Sequence, residues 1–191
     1  MKSIYVSVLL MSVSSSLTAP HSKDRPYRYE KILDPNATFI LRWTPDFEEK
    51  KVDFEFEAQA IGWIGIIFVS PSSASSFADT VIAGVFDDGS TYIQDRYTDV
   101  SIPEPDTPQP LDIQQDWPLV YAEEANGKTI VRTSRAFDTN DPQDNPIIQD
   151  ETILFSWAYD DEDLVDGEPL YHGEDGRGTV LLNLLYPEKT L

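Results

Sequence analysis

The sequence predicts an all-β protein, a sandwich or barrel of about nine or more strands. Three observations support this class. Short segments rich in β-branched and aromatic residues recur along the chain, clusters of Pro, Gly, Asp and Asn separate them, and helical periodicity is weak. A chain of 191 residues that is 40% apolar is long enough to bury the core of one domain.

The predicted strands, in chain order, are 38–43, 51–58, 63–69, 80–86, 91–98, 117–123, 128–135, 152–158 and 178–184. In the second strand Val52, Phe54 and Phe56 alternate with three acidic residues, which indicates one buried and one wet face. Residues 63–69 are apolar almost throughout, which favours a strand covered on both sides.

Two long connections are predicted between these strands. The segment 102–116 contains four prolines and no apolar alternation, which predicts an ordered loop lying across the β-structure. The segment 138–150 is a second turn-rich connection. No linker divides the chain, and we expect a single domain over residues 29–186.

The first residues have the layout of a secretory signal peptide. A lysine precedes an apolar stretch at residues 4–13, and small residues follow it. We therefore expect a signal peptide at residues 1–19, cleaved between 16 and 22, and a secreted, extracellular or secretory-lumen protein. The apolar stretch is too short for a membrane span. Asn36 begins an Asn-Ala-Thr sequon, a glycosylation candidate in a secreted chain.

The charge of the chain limits its partners. The 34 acidic and 14 basic residues give a net charge of −20. Loss of Lys2 with the signal peptide would leave 13 basic residues and a charge of −21. Such a surface repels phosphate backbones and anionic lipid, so nucleic acid is not expected as a partner. An acidic extracellular-matrix or mineral-associated protein is one alternative that this charge supports.

The residue inventory excludes several kinds of catalytic or cofactor site. The chain has no cysteine and two histidines, of which His21 lies at the signal junction and His172 alone is secure. Zinc or copper sites built from several imidazoles or thiolates are therefore not expected. Both methionines, Met1 and Met11, lie in the signal peptide, which excludes His–Met ligation of haem in the mature domain.

Aspartates near predicted strand ends are the candidates for a functional site. Asp79 and Asp95 flank strands that could be neighbours, and Asp116 ends the proline-rich segment. Calcium prefers carboxylate and carbonyl oxygens, so these three carboxylates could bind one cation if the loop folds back. Asp is also a common residue in strand-end turns, and the residues alone leave both interpretations open.

Seven segments together resemble a DOMON domain. They are, in the family's order, GWIGIIF (62–68), FADTVIAGV (77–85), QDRYTD (94–99), QQDW (114–117), NGKTIVRTSRAFDTNDPQD (126–144), FSWAY (155–159) and YHGEDGRGTVLLNLL (171–185). Within the family the sequence is most similar to the amino-terminal domain of dopamine β-monooxygenase and its monooxygenase X relatives. The resemblance implies an immunoglobulin-like antiparallel β-sandwich that binds ligands or partners.

The resemblance also implies site residues. An ion site in related domains corresponds to Asp79, the backbone carbonyls of Thr80 and Arg96, and Asp116, with Asp95 adjacent as a ligand or supporting carboxylate. Haem is not expected, because the position of the family's haem-ligating methionine lies in SPSSASSF here. His172 and Tyr171 are candidates for a ligand pocket, although a histidine in a turn also bonds the backbone without any ligand.

Two basic residues and the tryptophans have structural interpretations. We expect Arg96 and Arg135 to neutralise buried acids such as Asp138 or Asp141. The four tryptophans are expected in the core, with sugar stacking as the alternative.

These observations lead to one leading function and two alternatives. We expect a secreted, non-catalytic DOMON module that binds an extracellular ligand or protein and carries a structural divalent cation, with Ca²⁺ as the candidate. One alternative is a short product or fragment of a copper-dependent monooxygenase, which would need further copper-binding domains for catalysis. The other is the acidic matrix or mineral-associated protein.

Overall fold

The computed structural model describes residues 27–73, 76–101 and 109–187. The predicted signal peptide and residues 102–108 of the proline-rich segment lie outside this part of the chain. Within it, ten strands are present. They are β1 (Tyr29–Ile32), β2 (Phe39–Asp46), β3 (Lys51–Ala58), β4 (Ile64–Val69), β5 (Phe77–Val85), β6 (Thr91–Asp99), β7 (Leu119–Ala125), β8 (Lys128–Ala136), β9 (Ile153–Tyr159) and β10 (Arg177–Leu182).

The strands form two five-stranded antiparallel sheets, which confirms the prediction of an all-β sandwich rather than a barrel. The first sheet has the order β1-β2-β3-β8-β7, and the second has the order β10-β9-β4-β5-β6. We call them sheet A and sheet B. Within the described ranges no helix is long and apolar enough to cross a bilayer.

Alternating residues from both sheets meet in one core. On β3 the apolar residues of the predicted alternation, Val52, Phe54 and Phe56, are all buried in it. Trp43 on β2 donates its indole N–H to the carbonyl of Leu184 at 2.8 Å, which satisfies a buried polar group. All four tryptophans are buried. Three belong to this core, as predicted, whereas Trp63 belongs to a second apolar cluster with Ile82, Tyr92 and Leu164.

Strand β1 was not predicted from the sequence. Its four residues, YEKI, alternate between half-buried and exposed positions at the edge of sheet A. So short and polar a segment has no hydrophobic pattern of its own. It is held by pairing with β2, from Tyr29 opposite Trp43 to Ile32 opposite Ile40.

Strand β5 begins three residues earlier than predicted, which changes the position of one candidate residue. Phe77, Ala78 and Asp79 pair with β6 and extend the strand toward its amino end. Asp79 therefore lies inside a strand, not in a strand-end turn. Asp95 likewise lies within β6. The turn interpretation does not apply to either residue.

The alternation of a strand places neighbouring residues on opposite faces of sheet B. Asp79 on β5 and Asp95 on β6 face the interior between the sheets, where Val81 joins the core. Their sequence neighbours Thr80 and Arg96 face the other side of the sheet. These two faces carry different chemistry.

The segment after residue 108 runs along the free edge of β6. Leu111 forms an isolated bridge with Arg96, and the Asp112 amide donates to the Asp95 carbonyl at 2.9 Å. The Tyr97 amide donates to the Pro110 carbonyl at 3.3 Å. This segment covers a sheet edge and brings residues 112–117 beside the inward face of β6.

Candidate functional site

Three buried carboxylates converge at one end of the interior. Asp79 from β5, Asp95 from β6 and Asp144 from the connection after β8 each place a carboxylate oxygen within 4.8 Å of the others. Asp79 and Asp95 are 1% exposed and Asp144 is 6% exposed. We call this group the aspartate cluster. Charged groups this deeply buried require compensation, because transfer of a carboxylate out of water is costly.

Arg135 supplies part of that compensation. It lies on the inward face of β8, is 1% exposed, and places Nη2 2.5 Å from Asp79 Oδ2 and 3.2 Å from Asp144 Oδ2. The same Nη2 donates to the Asn145 carbonyl at 2.8 Å. Its guanidinium carbon also lies 5.0 Å from the centre of the Phe68 ring. The ion pair joins sheet A to sheet B.

Neutral donors bind some of the remaining oxygens. Trp117 donates its indole N–H to Asp79 Oδ1 at 3.1 Å. The Asp116 amide donates to Asp95 Oδ2 at 2.8 Å. Asp95 Oδ1 is buried and has no hydrogen-bond partner among the described residues. The aspartate cluster is therefore incompletely satisfied at Asp95.

The electrostatics of the aspartate cluster reflect this burial. Desolvation raises the pKa of Asp95 to about 8, and repulsion from Asp79 and Asp144 adds to the rise against the Asp116 hydrogen bond. Desolvation also raises the pKa of Asp79 to about 7, despite the opposing attraction of Arg135. Burial raises the pKa of Asp144 as well. In the absence of a further cation, the interior favours protonation.

Ionisation of all three aspartates would leave an excess of negative charge. Three carboxylates face one guanidinium, which leaves two uncompensated negative charges. A divalent cation would neutralise that excess. The oxygen-only donor set of the cluster suits a hard ion such as Ca²⁺ rather than a soft transition metal.

The structure brings together only some of the predicted ligand residues. Asp79 and Asp95 meet, but Asp116 reaches the cluster through its backbone amide, and its carboxylate accepts a hydrogen bond from Gln114 Nε2 at 2.8 Å. The Thr80 side chain lies on the outer face of sheet B, where its hydroxyl forms a hydrogen bond with the Thr98 hydroxyl at 2.9 Å. The carbonyls of Thr80 and Arg96 belong to strand segments that are paired on both sides.

Asp144 and Arg135 were missed as members of the site. The prediction that Arg135 neutralises Asp138 or Asp141 is wrong, because its carboxylate partners are Asp79 and Asp144. A signal was present in the sequence of β8. Alternation from Val131 through Thr133 places Arg135 on the buried face, and a buried arginine needs buried acids.

Arg96 has a different role on the outer face of sheet B. It is 1% exposed, and its Nη2 donates to the Gly167 carbonyl at 2.7 Å. Its Nη1 forms an ion pair with Glu168 at 2.7 Å and contacts the Gln109 carbonyl. Neither Asp138 nor Asp141 is among these partners. Arg96 holds two connecting segments against the sheet.

Those segments border a cleft of about 1080 Å³ on the outer face of sheet B. Tyr171 and His172, the predicted pocket residues, both line it. His172 Nδ1 lies 2.8 Å from the Gly173 carbonyl, and its ring centre lies 6.0 Å from that of Trp63. Asn36, the glycosylation candidate, lies elsewhere. It is exposed in the turn before β2, where its backbone N–H donates to Asp34 Oδ1.

Comparison with known proteins identifies relatives of the whole domain. The chain is 35% identical over 173 residues to human DBH-like monooxygenase protein 1, covering 91% of this chain and 26% of that protein. Mouse DBH-like monooxygenase protein 2 is 33% identical, with 73% of this chain and 21% of the relative covered. Rat dopamine beta-hydroxylase is 25% identical, with 96% and 28% covered. The chain thus spans less than a third of each of these relatives.

A solved structure shares the fold. The cytochrome b domain of pyranose dehydrogenase from Coprinopsis cinerea superposes with a TM-score of 0.53 at 12% identity, covering 76% of this chain and 77% of that one. No His–Met pair for haem is available in the part of our chain that the structure describes. Its described ranges contain His172 as their one histidine and no methionine, and His172 Nδ1 already bonds a backbone carbonyl.

A comparison with sequence profiles of protein families agrees with the sandwich fold, with the order of the motifs and with these relatives. The DOMON domain profile matches residues 35–160, from the turn before β2 to the residue after β9. This range includes the whole aspartate cluster together with Arg135 and Trp117. The chain belongs to the DOMON domain family.

Proposed function

We propose that the chain functions as a secreted, non-catalytic DOMON module that binds an extracellular ligand or protein and is stabilised by a structural divalent cation. The cation is bound by Asp79, Asp95 and Asp144. The observation that carries the proposal is the aspartate cluster itself. Among the described residues it has two uncompensated negative charges when ionised and a buried oxygen of Asp95 without a hydrogen-bond partner. Asp144 takes the place that the sequence predicted for the Asp116 carboxylate.

Calcium fits this cluster better than magnesium. Calcium accepts six to eight oxygens in irregular arrangements, whereas magnesium requires a near-ideal octahedron and retains its water. Hydrogen bonds from Trp117 and Asp116 fix the orientations of the Asp79 and Asp95 carboxylates. The fold sets these orientations, so they need not match the octahedral geometry that magnesium requires. Water would complete the coordination shell of the larger ion.

The cation would act on stability by joining distant parts of the chain. Asp79 and Asp95 lie on adjacent strands of sheet B, and Asp144 lies in the connection that follows β8 of sheet A. An ion that binds only the folded state stabilises it by about 2.7 kcal/mol at a hundred times its Kd. In a chain without cysteines, the cation would replace the cross-linking that disulfides give many secreted domains.

Direct metal binding tests this proposal. Protein stripped with chelator at pH 8 is titrated with calcium by isothermal calorimetry, and bound metal is counted by elemental analysis. We expect one calcium per chain in the natural sequence and about a tenfold or greater loss of affinity in Asp144→Asn. Asp175→Asn removes the same charge from an exposed residue and should leave binding unchanged.

The outcome of that titration is decisive for the cation. Absence of binding to metal-free protein, or an equal loss of affinity in both variants, would contradict a site at the aspartate cluster. The second result would indicate screening of the negative surface as a whole.

Separate observations support the proposed secretion and the proposed non-catalytic role. The amino-terminal sequence supports secretion, and exposed Asn36 is proposed as its glycosylation site. The described ranges contain one histidine and no cysteine, so no cluster of imidazoles or thiolates is available there for copper. Purified protein supplied with copper and ascorbate should not hydroxylate a phenethylamine, and turnover by pure protein would refute a purely binding role.

A second candidate function is that of one domain in a longer copper-dependent monooxygenase. The names of the relatives and the share of their length that the chain covers favour it. Sequencing the complete transcript from its natural source distinguishes the two. A reading frame that continues into histidine-bearing domains supports the monooxygenase, and a stop codon after the sandwich supports the independent module.

A further inference from the structure

We propose that the cleft on the outer face of sheet B binds an uncharged small molecule with a flat apolar face. This inference specifies the ligand class for the binding role proposed above and rests on that role. It is independent of the cation, because the cleft and the aspartate cluster lie on opposite faces of the sheet.

The floor of the cleft is formed by the central strands of sheet B and carries apolar and uncharged side chains. Gly65 and Ile67 on β4 lie at its centre, with Ile82 opposite Gly65 on one side and Ser156 opposite Ile67 on the other. A Cβ atom at residue 65 would lie 3.0 Å from the Trp63 ring. Glycine at this position therefore leaves space beside that ring. Backbone polar groups here are paired within the sheet. A planar apolar ligand can therefore lie against the strands.

The charged residues around the cleft are already paired. Arg96 is ion-paired with Glu168 at 2.7 Å, and Arg177 is paired with Glu174 at 2.6 Å. Each pair leaves no excess charge at the cleft. A charged ligand would find no unpaired counter-charge among these residues, whereas an uncharged ligand needs none. The lining therefore favours an uncharged occupant.

Aromatic side chains form one wall. Trp63 is 3% exposed and contacts His172 edge to face, and Tyr171 lies beside His172 with 5.0 Å between ring centres. A ligand with an apolar ring would match a wall of this composition.

The cleft is held open by contacts outside its floor. Arg96 binds the Gly167 carbonyl and Glu168 on one side and the Gln109 carbonyl on the other. The Tyr171 hydroxyl donates to Glu174 at 2.8 Å, which fixes the aromatic wall to the second ion pair. A ligand would enter a site whose walls are already ordered, which lowers the entropy cost of binding.

Two dyes with the same ring system test the proposal. Nile red is uncharged and Nile blue is cationic, and both are titrated by fluorescence at about 0.3 M salt to screen the acidic surface. We expect saturable binding of one Nile red per chain. Ile67→Asp places a charge in the floor and should weaken Nile red by about tenfold or more without weakening Nile blue. Ser156→Phe fills the floor and should also weaken Nile red.

Leu181→Asp is the matched control. Leu181 is an exposed apolar residue on the same face of sheet B but outside the cleft. It should leave Nile red binding unchanged. Equal loss in Leu181→Asp and Ile67→Asp would overturn the proposal, since the dye would then bind exposed apolar surface in general.

Other results separate this inference from the proposed function. No saturable binding of Nile red, or tenfold tighter binding of Nile blue in the natural sequence, would overturn the uncharged ligand class. The calcium titration is repeated on each variant as a check of folding. If the natural protein binds calcium but no dye, the proposed ligand class alone is refuted. If it does not bind calcium, the proposed cation site is refuted.

Discussion

The two faces of β5 and β6 differ in how completely their buried charges are satisfied. On the inner face Asp95 is 1% exposed, yet one of its oxygens has no hydrogen-bond partner in the part of the chain that the structure describes. On the outer face its neighbour Arg96 is equally buried, and its guanidinium contacts two carbonyls, a carboxylate and the Gln94 side chain. Burial alone does not identify a binding site. Among these charged groups, the unsatisfied oxygen of Asp95 marks the candidate cation site, and it lies on the inner face.

The largest effect is expected when the inner-face cation Arg135 is removed. Arg135→Met leaves Asp79 and Asp144 buried without a counter-charge. Breaking a buried ion pair from one side typically costs about 3–5 kcal/mol in the free energy of unfolding. Urea denaturation followed by far-UV circular dichroism measures the loss. A loss below about 1 kcal/mol would mean that the two aspartates are neutral in the folded protein and need no partner.

The pH dependence of stability is expected to be the second largest effect. Without a divalent cation, burial gives Asp79 and Asp95 pKa values of about 7 and about 8 in the folded protein, against 3.8 for the ordinary side chain. The folded state therefore favours the protonated form. Their contribution to stability is full below about pH 4 and is lost as pH rises through 7 and 8. Calcium should suppress this loss, because it replaces the protons.

Asp95→Asn sharpens that prediction. The amide cannot ionise and offers a donor toward the neighbouring carboxylates. In chelator at pH 8 the variant should match or exceed the natural protein in thermal stability, and its melting temperature should not respond to calcium. Asp175→Asn should retain both the pH dependence and the calcium response. A strongly destabilised Asp95→Asn variant at pH 8 would contradict the raised pKa of Asp95.

A smaller effect is expected at Trp117. Trp117→Phe preserves an aromatic ring near Phe54 and Phe68 but removes the N–H that donates to Asp79 Oδ1. A buried acceptor left without its donor costs about 1–3 kcal/mol. Chemical denaturation at pH 8 measures it, and saturating calcium should reduce the loss by binding the same carboxylate. An unchanged midpoint would show that the hydrogen bond has no energetic role.

The smallest effect is expected from an exposed pair on the outer face. Arg177 and Glu174 form an ion pair at 2.6 Å, but both side chains are more than two-fifths exposed. Exposed pairs contribute about 0–1 kcal/mol. Arg177→Met should therefore change the denaturation midpoint far less than Arg135→Met, although the chemical change is the same. Comparable losses in the two variants would remove the distinction between inner and outer charges.

The sequence was sufficient for the fold because alternation is a local property. The pattern of Val52, Phe54 and Phe56 needs no knowledge of distant contacts, and the apolar run of β4 is equally explicit. The four-residue strand β1 carries no such pattern and depends on its partner β2. It could be found only with the structure.

The site was only partly predictable because it depends on pairing across the sandwich. Asp79 and Asp95 come from adjacent strands, and their convergence could be anticipated from chain order. Asp144 lies in an irregular connection whose path no local pattern specifies. It is located by Arg135, which faces inward on β8 and binds both Asp144 and Asp79.

Anomalous diffraction can locate the proposed cation in the folded protein. Crystals soaked in Mn²⁺ as a scatterer in place of Ca²⁺ are measured near the manganese absorption edge, with chelated crystals as the reference. We expect one strong anomalous peak among the carboxylates of Asp79, Asp95 and Asp144, within about 2.6 Å of an oxygen from each. A featureless map at full soaking, or a peak bound by Asp116 and not by Asp144, would contradict it.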